Sequence, residues 1–144
     1  MTRILIRRAT SVDAEAISEL LSELGYSQSP ADTADRINTY QQSSDTVLVA
    51  DLDGQVAGFL SFHPTPLFHA PGHLGRITAM CVSQEYQRQG IGRALLEKLD
   101  HIAAEQDCHR IEVTSGDHRA NDAHHFYQSC GYEATSQRFL KILT

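Results

Sequence analysis

No apolar run in the 144 residues approaches the ~18 that a membrane-spanning helix needs. The opening Met1-Thr2-Arg3-Ile4-Leu5-Ile6-Arg7-Arg8 is too short and too charged for a secretory leader. Membrane insertion and export are therefore not expected. Cysteine is scarce too: Cys81, Cys108 and Cys130 are odd in number, widely spaced and form no CxxC. That pattern excludes a disulfide scaffold and fits a reduced, cytoplasmic interior. Linkers, internal repeats and low-complexity tracts are absent. So is an excess of base, because 12 Lys+Arg face 18 Asp+Glu and leave a formal charge of −6. Non-specific nucleic-acid binding needs the opposite sign.

What remains is one domain's worth of chain, residues 1–144, on the usual scale of ~100–200 residues per domain. With 41% apolar and 21% charged residues it is neither disordered nor a coiled coil. The charge is unevenly placed. Residues 9–53 carry nine acids (Asp13, Glu15, Glu19, Glu23, Asp32, Asp35, Asp45, Asp51, Asp53) against one base, Arg36. Residues 76–144 carry eight bases and nine acids. A cationic partner is favoured by the first stretch and an anionic one by the second. Plain solvated faces would give the same pattern.

Local signals order the elements. Ile4 to Arg8 reads as a strand. Thr10 and Asp13 make a capping-box signature before Ile17, Leu20, Leu21 and Leu24 at helical spacing, and Gly25 stops that helix. Ser29-Pro30 starts another, with Ala34, Ile37 and Tyr40 behind it. Thr46–Ala50 and Val56–Leu60 flank Asp53-Gly54, a hairpin. Prolines 64, 66 and 71 with Gly72 and Gly75 make 63–75 an irregular loop. Ile77 to Val82 is extended again, and a helix comes next with Ile91, Leu95, Leu99 and Ile102 as its apolar stripe. Arg110–Thr114 reads as a strand, Asp122–Ser129 as a helix closed by Gly131, and Phe139–Leu143 as a last strand. Helices interleaved with strands in this order predict an α/β (α+β) fold: a mixed sheet flanked by about four helices.

The most informative stretch runs Met80-Cys81-Val82-Ser83-Gln84-Glu85-Tyr86-Gln87-Arg88-Gln89-Gly90-Ile91-Gly92-Arg93. A strand passes through a glycine-bearing turn into the first turn of an amphipathic helix. Free amides and the positive end of the helix dipole then converge on one point, where a pyrophosphate fits. Gly90 and Gly92 let the backbone approach the phosphates, and Arg88 and Arg93 add charge at the rim. Two familiar phosphate loops are excluded. There is no GxxxxGK[ST], and GxGxxG fails because its third glycine would fall at Leu95.

Gln87-Arg88-Gln89-Gly90-Ile91-Gly92 resembles the [QR]-x-x-G-x-[GA] pyrophosphate motif of the GNAT superfamily of acetyl-CoA-dependent N-acetyltransferases. The later Ala123-His124-His125-Phe126-Tyr127-Gln128-Ser129-Cys130-Gly131-Tyr132 resembles its A-x-x-[FL]-Y-x-x-x-G-[FY] signature, and the likeness covers essentially the whole chain. From Arg119 through Lys141 the chain looks most like the aminoalkylphosphonate and related small-amine N-acetyltransferases. The resemblance implies a mostly antiparallel central sheet and acetyl-CoA as cosubstrate. It implies that Met80, Cys81 and Val82 pair with the pantetheine arm. Gln87, Arg88, Gln89, Gly90, Ile91, Gly92 and Arg93 would hold the pyrophosphate. It also implies that Tyr127 protonates the departing thiolate, a role that suits a phenol of pKa ~10. A core aromatic at a helix end is the other reading of Tyr127, and Phe126 beside it should be core.

Three departures stand out. The asparagine often found three residues before the second motif's alanine is here Ala120, with Asn121 one step later as the remaining cofactor contact. Between Leu74 and Val82 there is no carboxylate to act as general base; Arg76 and Ala79 stand where related enzymes carry Glu. Gln84 replaces a common proline. Deprotonation then falls to a histidine, to an acid on the early helices, or to water. His69 and His73 lead, because imidazole titrates near neutrality and their loop precedes the cofactor strand. Eight histidines also raise a metal. But His63, His69 and His73 lie at spacings that match no zinc signature, and the adjacent His124 and His125 point apart on a helix. They read as solvated, and no metal is expected, although similar phosphonate-amine enzymes can use a divalent cation.

The functional expectation is acetyl transfer from acetyl-CoA to a small primary amine by direct attack in a ternary complex. A protein lysine or N-terminal acetyltransferase and a non-catalytic acyl-CoA sensor are the alternatives. A cytoplasmic homodimer with no nucleic-acid or membrane partner is expected.

Overall fold

A computed structural model describes residues 3–114 and 123–144. The chain divides into two compact units, Met1–Thr114 and Ser115–Thr144. The first holds β1 (Ile4–Arg8), α1 (Ala14–Glu23), α2 (Pro30–Gln41), β2 (Thr46–Leu52), β3 (Gln55–Pro66), β4 (His73–Val82), α3 (Ile91–Glu105) and β5 (Cys108–Val113). The sheet runs β1-β2-β3-β4-β5, antiparallel except for the parallel β4–β5 pair. This is the mixed, mostly antiparallel α/β sheet expected.

Alternation along the strands assigns the faces. Val49, Phe59 and Cys81 form one register row and join Ala14, Ile17, Leu20 and Ile37 of α1 and α2 in a buried cluster. Leu48 and Leu60, the next row, face the other way, where α3 buries Ile91, Leu95, Leu96, Leu99 and Ile102. The hairpin turn is carried by Asp53 (φ 52°) and Gly54 (φ 95°), the left-handed pair that a two-residue loop requires.

Strands β3 and β4 are longer than the sequence suggests, and residues 63–66 and 73–75 are not loop. They pair as His63↔Arg76, Pro64↔Gly75, Thr65↔Leu74 and Pro66↔His73. The prolines are tolerated because β2 begins only at Thr46, opposite Phe62. Beyond that point β3 has lost its neighbour on one side. Residues 64 and 66, being alternate, turn their hydrogen-less nitrogens to a single side.

The capping signature also forms: Thr10 N–H donates to Asp13 Oδ2 at 2.9 Å. Arg7 meets both oxygens of the same carboxylate at 2.9 Å and reaches Asp51 Oδ2 at 3.1 Å. Asp13 and Asp51, both among the nine acids of the early stretch, are therefore held by Arg7 rather than offered to a partner. Burial alone raises the Asp13 carboxyl, but the Arg7 and Thr10 bonds outweigh it and hold the carboxyl below its usual range. A lowered folded-state pKa stabilises the fold above the ordinary carboxylate value, and that stabilisation is lost as pH falls through it. Asp13→Ala removes a cap and a bidentate ion pair, so it should cost about 2–3 kcal/mol at neutral pH. Urea melts should show the gap between variant and wild type closing below about pH 4.

The second unit contains α4 (His125–Ser129), which ends in a glycine cap. Tyr132 N–H donates to Tyr127 O, Gly131 N–H donates to Gln128 O, and Gly131 sits at φ 95°. Phe126 is half-buried rather than core, its ring tilted at 5.3 Å from that of Tyr127. The expected strand at Phe139–Leu143 does not form. Residues 132–144 carry no regular structure, and Phe139, Leu140, Ile142 and Leu143 are 69–91% exposed. Among the described residues of this unit there is no other strand to supply a ladder, and an apolar run alone cannot make one.

Candidate active site

The site is built on β4 and on the loop that leads from it into α3. β4 pairs with β3 along its whole length, but its ladder with β5 ends at Ile77↔Val113, five residues short of Val82. There β4 also carries a bulge, because Ser61 pairs with Ala79 while Phe62 pairs with Ile77, leaving Thr78 as the extra residue. A bulge bends a strand and re-aims side chains. Thr78 Oγ1 lies 2.6 Å from Ser61 Oγ and 3.2 Å from Tyr40 OH of α2, a chain of three hydroxyls.

Past Val82, Ser83 N–H donates to Ala57 O at 2.7 Å, and a 3-10 turn spans Gln84–Tyr86. Gln87 Nε2 then donates to Val82 O at 2.9 Å, so this side chain holds the loop against the strand end. Arg88 (φ 64°) and Gly90 (φ 79°) both take the left-handed conformation, which curls the chain into α3. Gly90 caps that helix without any side-chain bond. A helix's leading amides have no partner within the helix. Among the described residues beyond its own turn, a Cβ built on Gly90 meets nothing within 4 Å. Open space above left-handed backbone at a helix N-terminus is what an approaching pyrophosphate requires.

The loop residues divide by side chain. Arg88, Gln89, Gly90 and Arg93 are exposed, whereas Ile91 is 1% and Cys81 8% exposed. Ile91 and Cys81 spend their side chains on the core and have only backbone to offer a ligand. Asn121 lies outside the described residues. Tyr127 is half-buried on α4, in edge contact with Tyr132 at 5.7 Å.

The two histidines expected as base stand elsewhere. His69 is exposed in the turn between β3 and β4. His73 begins β4, with its backbone N–H bonded to Asp107 O and its Nδ1 buried with no hydrogen-bond partner among the described residues. Seven residues of strand separate His73 from Met80, roughly 23 Å at about 3.3 Å per residue. The fold puts both histidines at the opposite end of β4 from the loop.

A third histidine is better placed. His63 Nδ1 bonds Asp45 Oδ1, and His63 shares its sheet face with Ser61, two residues along β3. Arg76, its register partner, is tied to Glu112 at 2.5 Å and Thr114 at 2.7 Å. Sequence reasoning missed the His63–Asp45 pair because the prolines put His63 in a loop. The only signal was the apolar–polar alternation of Leu60-Ser61-Phe62-His63. Among the described residues no group of three or more His, Cys, Asp or Glu could hold a metal, and no helix is long and apolar enough to cross a membrane.

Known proteins share this fold. The family model described as "Acetyltransferase (GNAT) family" matches residues 14–132. The aminoalkylphosphonate N-acetyltransferase of Salmonella typhimurium is 27% identical over 149 residues, covering 96% of this chain and 90% of that protein. A transcriptional regulator from Bacillus halodurans C-125 superposes with TM-score 0.87 at 25% identity, over 99% of this chain and 100% of that one. The aminoglycoside N-acetyltransferase AAC(6')-Iy, solved with CoA, shares the fold with TM-score 0.86 at 13% identity, over 99% and 96% of the chains. The chain belongs to the GNAT acetyltransferase family and is an acyltransferase.

Proposed function

We propose that the protein transfers acetyl from acetyl-CoA to the primary amine of a small cationic molecule, by direct attack in a ternary complex. The observation that carries the reading is the left-handed loop at the start of α3 with open space over Gly90. The cosubstrate supplies an acetyl group on a thioester; the chain binds, orients and handles protons. Backbone amides from Arg88 to Arg93 hold the pyrophosphate. The β4 backbone at Met80–Val82, past the end of the β5 ladder, lines up the pantetheine arm. Tyr127 gives its hydroxyl proton to the leaving sulfur.

The charge map supports a cationic acceptor. With Asp13 and Asp51 tied to Arg7, the exposed acids Glu15, Glu19, Glu23, Asp32 and Asp35 still line α1 and α2. Such a field raises the local concentration of an ammonium ion, at the cost of favouring its protonated, unreactive form. The likeness to the phosphonate-amine enzyme supports a small acceptor; Arg138, exposed in the second unit, is the cation to anchor a phosphonate.

Thiol release from acetyl-CoA, followed across primary amines with and without a phosphonate, neutral acceptors and peptides, tests this. Small primary amines should turn over fastest, with kcat/KM falling as salt screens the approach. Turnover of peptides or neutral acceptors alone, insensitive to salt, would sink the reading.

A further inference from the structure

Resting on that reading, we propose that His63, oriented by Asp45, is the terminal proton acceptor of the reaction, fed through the hydroxyls of Tyr40, Thr78 and Ser61. Four observations converge on it. β4 carries no carboxylate between Leu74 and Val82. The bulge at Thr78 joins three hydroxyls into one chain, two residues from Met80. Ser61 and His63 stand on one face of β3, about 7 Å apart along the strand, a gap that one water spans. Finally, Tyr40 and Asp45 line the same hollow of about 270 Å³, together with Arg8, Ile37, Thr46 and Val47.

The Asp45 bond fixes the ring chemistry. A carboxylate accepting from Nδ1–H leaves Nε2 as the basic nitrogen of the neutral ring. His63 is 47% exposed, so the proton it takes leaves for solvent. The step balances: the substrate ammonium gives one proton to the hydroxyl chain, each hydroxyl passes on its own, and Nε2 binds the last. The amine keeps the electron pair that then attacks the thioester carbonyl. Asp45 is a positioning residue, since it acts through the ring. The charged groups around His63 are Asp45 ahead of β2, Arg8 on β1 in the same hollow as Asp45, Arg76 on β4 and, through Arg76, Glu112 on β5. Tyr40 is the titratable group that α2 contributes.

The experiment joins kinetics to ring spectroscopy. His63→Ala should lower kcat by roughly 10²-fold, the usual scale for a lost acid–base group. The acidic limb of the kcat–pH profile should disappear, acetyl-CoA affinity should stay unchanged by calorimetry, and added imidazole should restore part of the rate. Thr78→Val should reproduce the loss in kcat with its KM for acetyl-CoA unchanged. Nitrogen NMR of wild type should show His63 protonated at Nδ1 when neutral, and Asp45→Ala should shift it towards the Nε2–H form. A neutral ring protonated at Nε2 in wild type overturns the proposal whether or not any amine turns over. Undiminished kcat in His63→Ala overturns it while leaving acetyl transfer standing. A wild type that binds acetyl-CoA but acetylates no amine instead defeats the acetyltransferase reading, and with it the role of His63.

Discussion

Gly90→Val is expected to reduce acetyl-CoA affinity by at least about 100-fold while the protein stays folded. Its effects on folding and on binding are separable. Gly90 sits at φ 79°, so any side chain strains the backbone by roughly 1–2 kcal/mol. A domain stable by ~5–15 kcal/mol withstands that. Among the described residues beyond its own turn, no atom lies within 4 Å of an added Cβ, so the branch point itself meets no clash inside the fold. The isopropyl group instead fills the space from which phosphate oxygens would reach the loop amides. Losing two hydrogen bonds to a charged group, at about 1.5–3 kcal/mol each, corresponds to a 10²–10⁴-fold weaker complex. Calorimetric titration with acetyl-CoA, beside a thermal melt, reads both effects. An unchanged affinity would remove the phosphate-loop assignment. Gly90→Ala should fall between, because it carries the φ cost with less bulk.

The loop was legible in the sequence because its chemistry is local. Gln87 to Arg93 needs only a strand before it, an apolar stripe after it and glycine at the turn, all of which lie within one continuous stretch. The same holds for the Asp53-Gly54 hairpin, the Asp13 cap and the Ser29 cap, where Ser29 Oγ accepts from Asp32 N–H. The features that escaped depend on register. His63 and Asp45 are 18 residues apart and meet only because β2 starts opposite Phe62. Thr78 gains its two hydroxyl partners only because the β3–β4 ladder slips by one residue there. Composition cannot announce a slip.

Charge counting along the chain overcounts for a related reason. Arg7 lies just outside the acidic stretch, yet β1 pairing sets it beside Asp51, and the cap brings it Asp13. The ion pairs arise from the fold, so a tally along the chain overstated the field offered to a substrate. The apolar run Phe139–Leu143 misled, because among the described residues of its unit no strand stands beside it to pair with.

Tyr127→Phe should lower kcat by about 10²-fold with little change in acetyl-CoA affinity. In the proposed role the hydroxyl acts as the sulfur departs, so its loss should be felt in the transition state more than in the bound ground state. The ring is kept, and with it the contacts to Phe126 and Tyr132 and the backbone cap at Gly131, so the helix should be unaltered. A phenol titrating near ~10 delivers its proton at little cost to a thiolate of similar basicity. It follows that the penalty should depend on the leaving thiol. An acetyl thioester of a more acidic thiol departs without needing that proton, so wild type and Tyr127→Phe should converge on such a donor. A variant slowed equally with both donors would place Tyr127 in orientation of the substrates. A variant with undiminished turnover on acetyl-CoA would assign the proton to water.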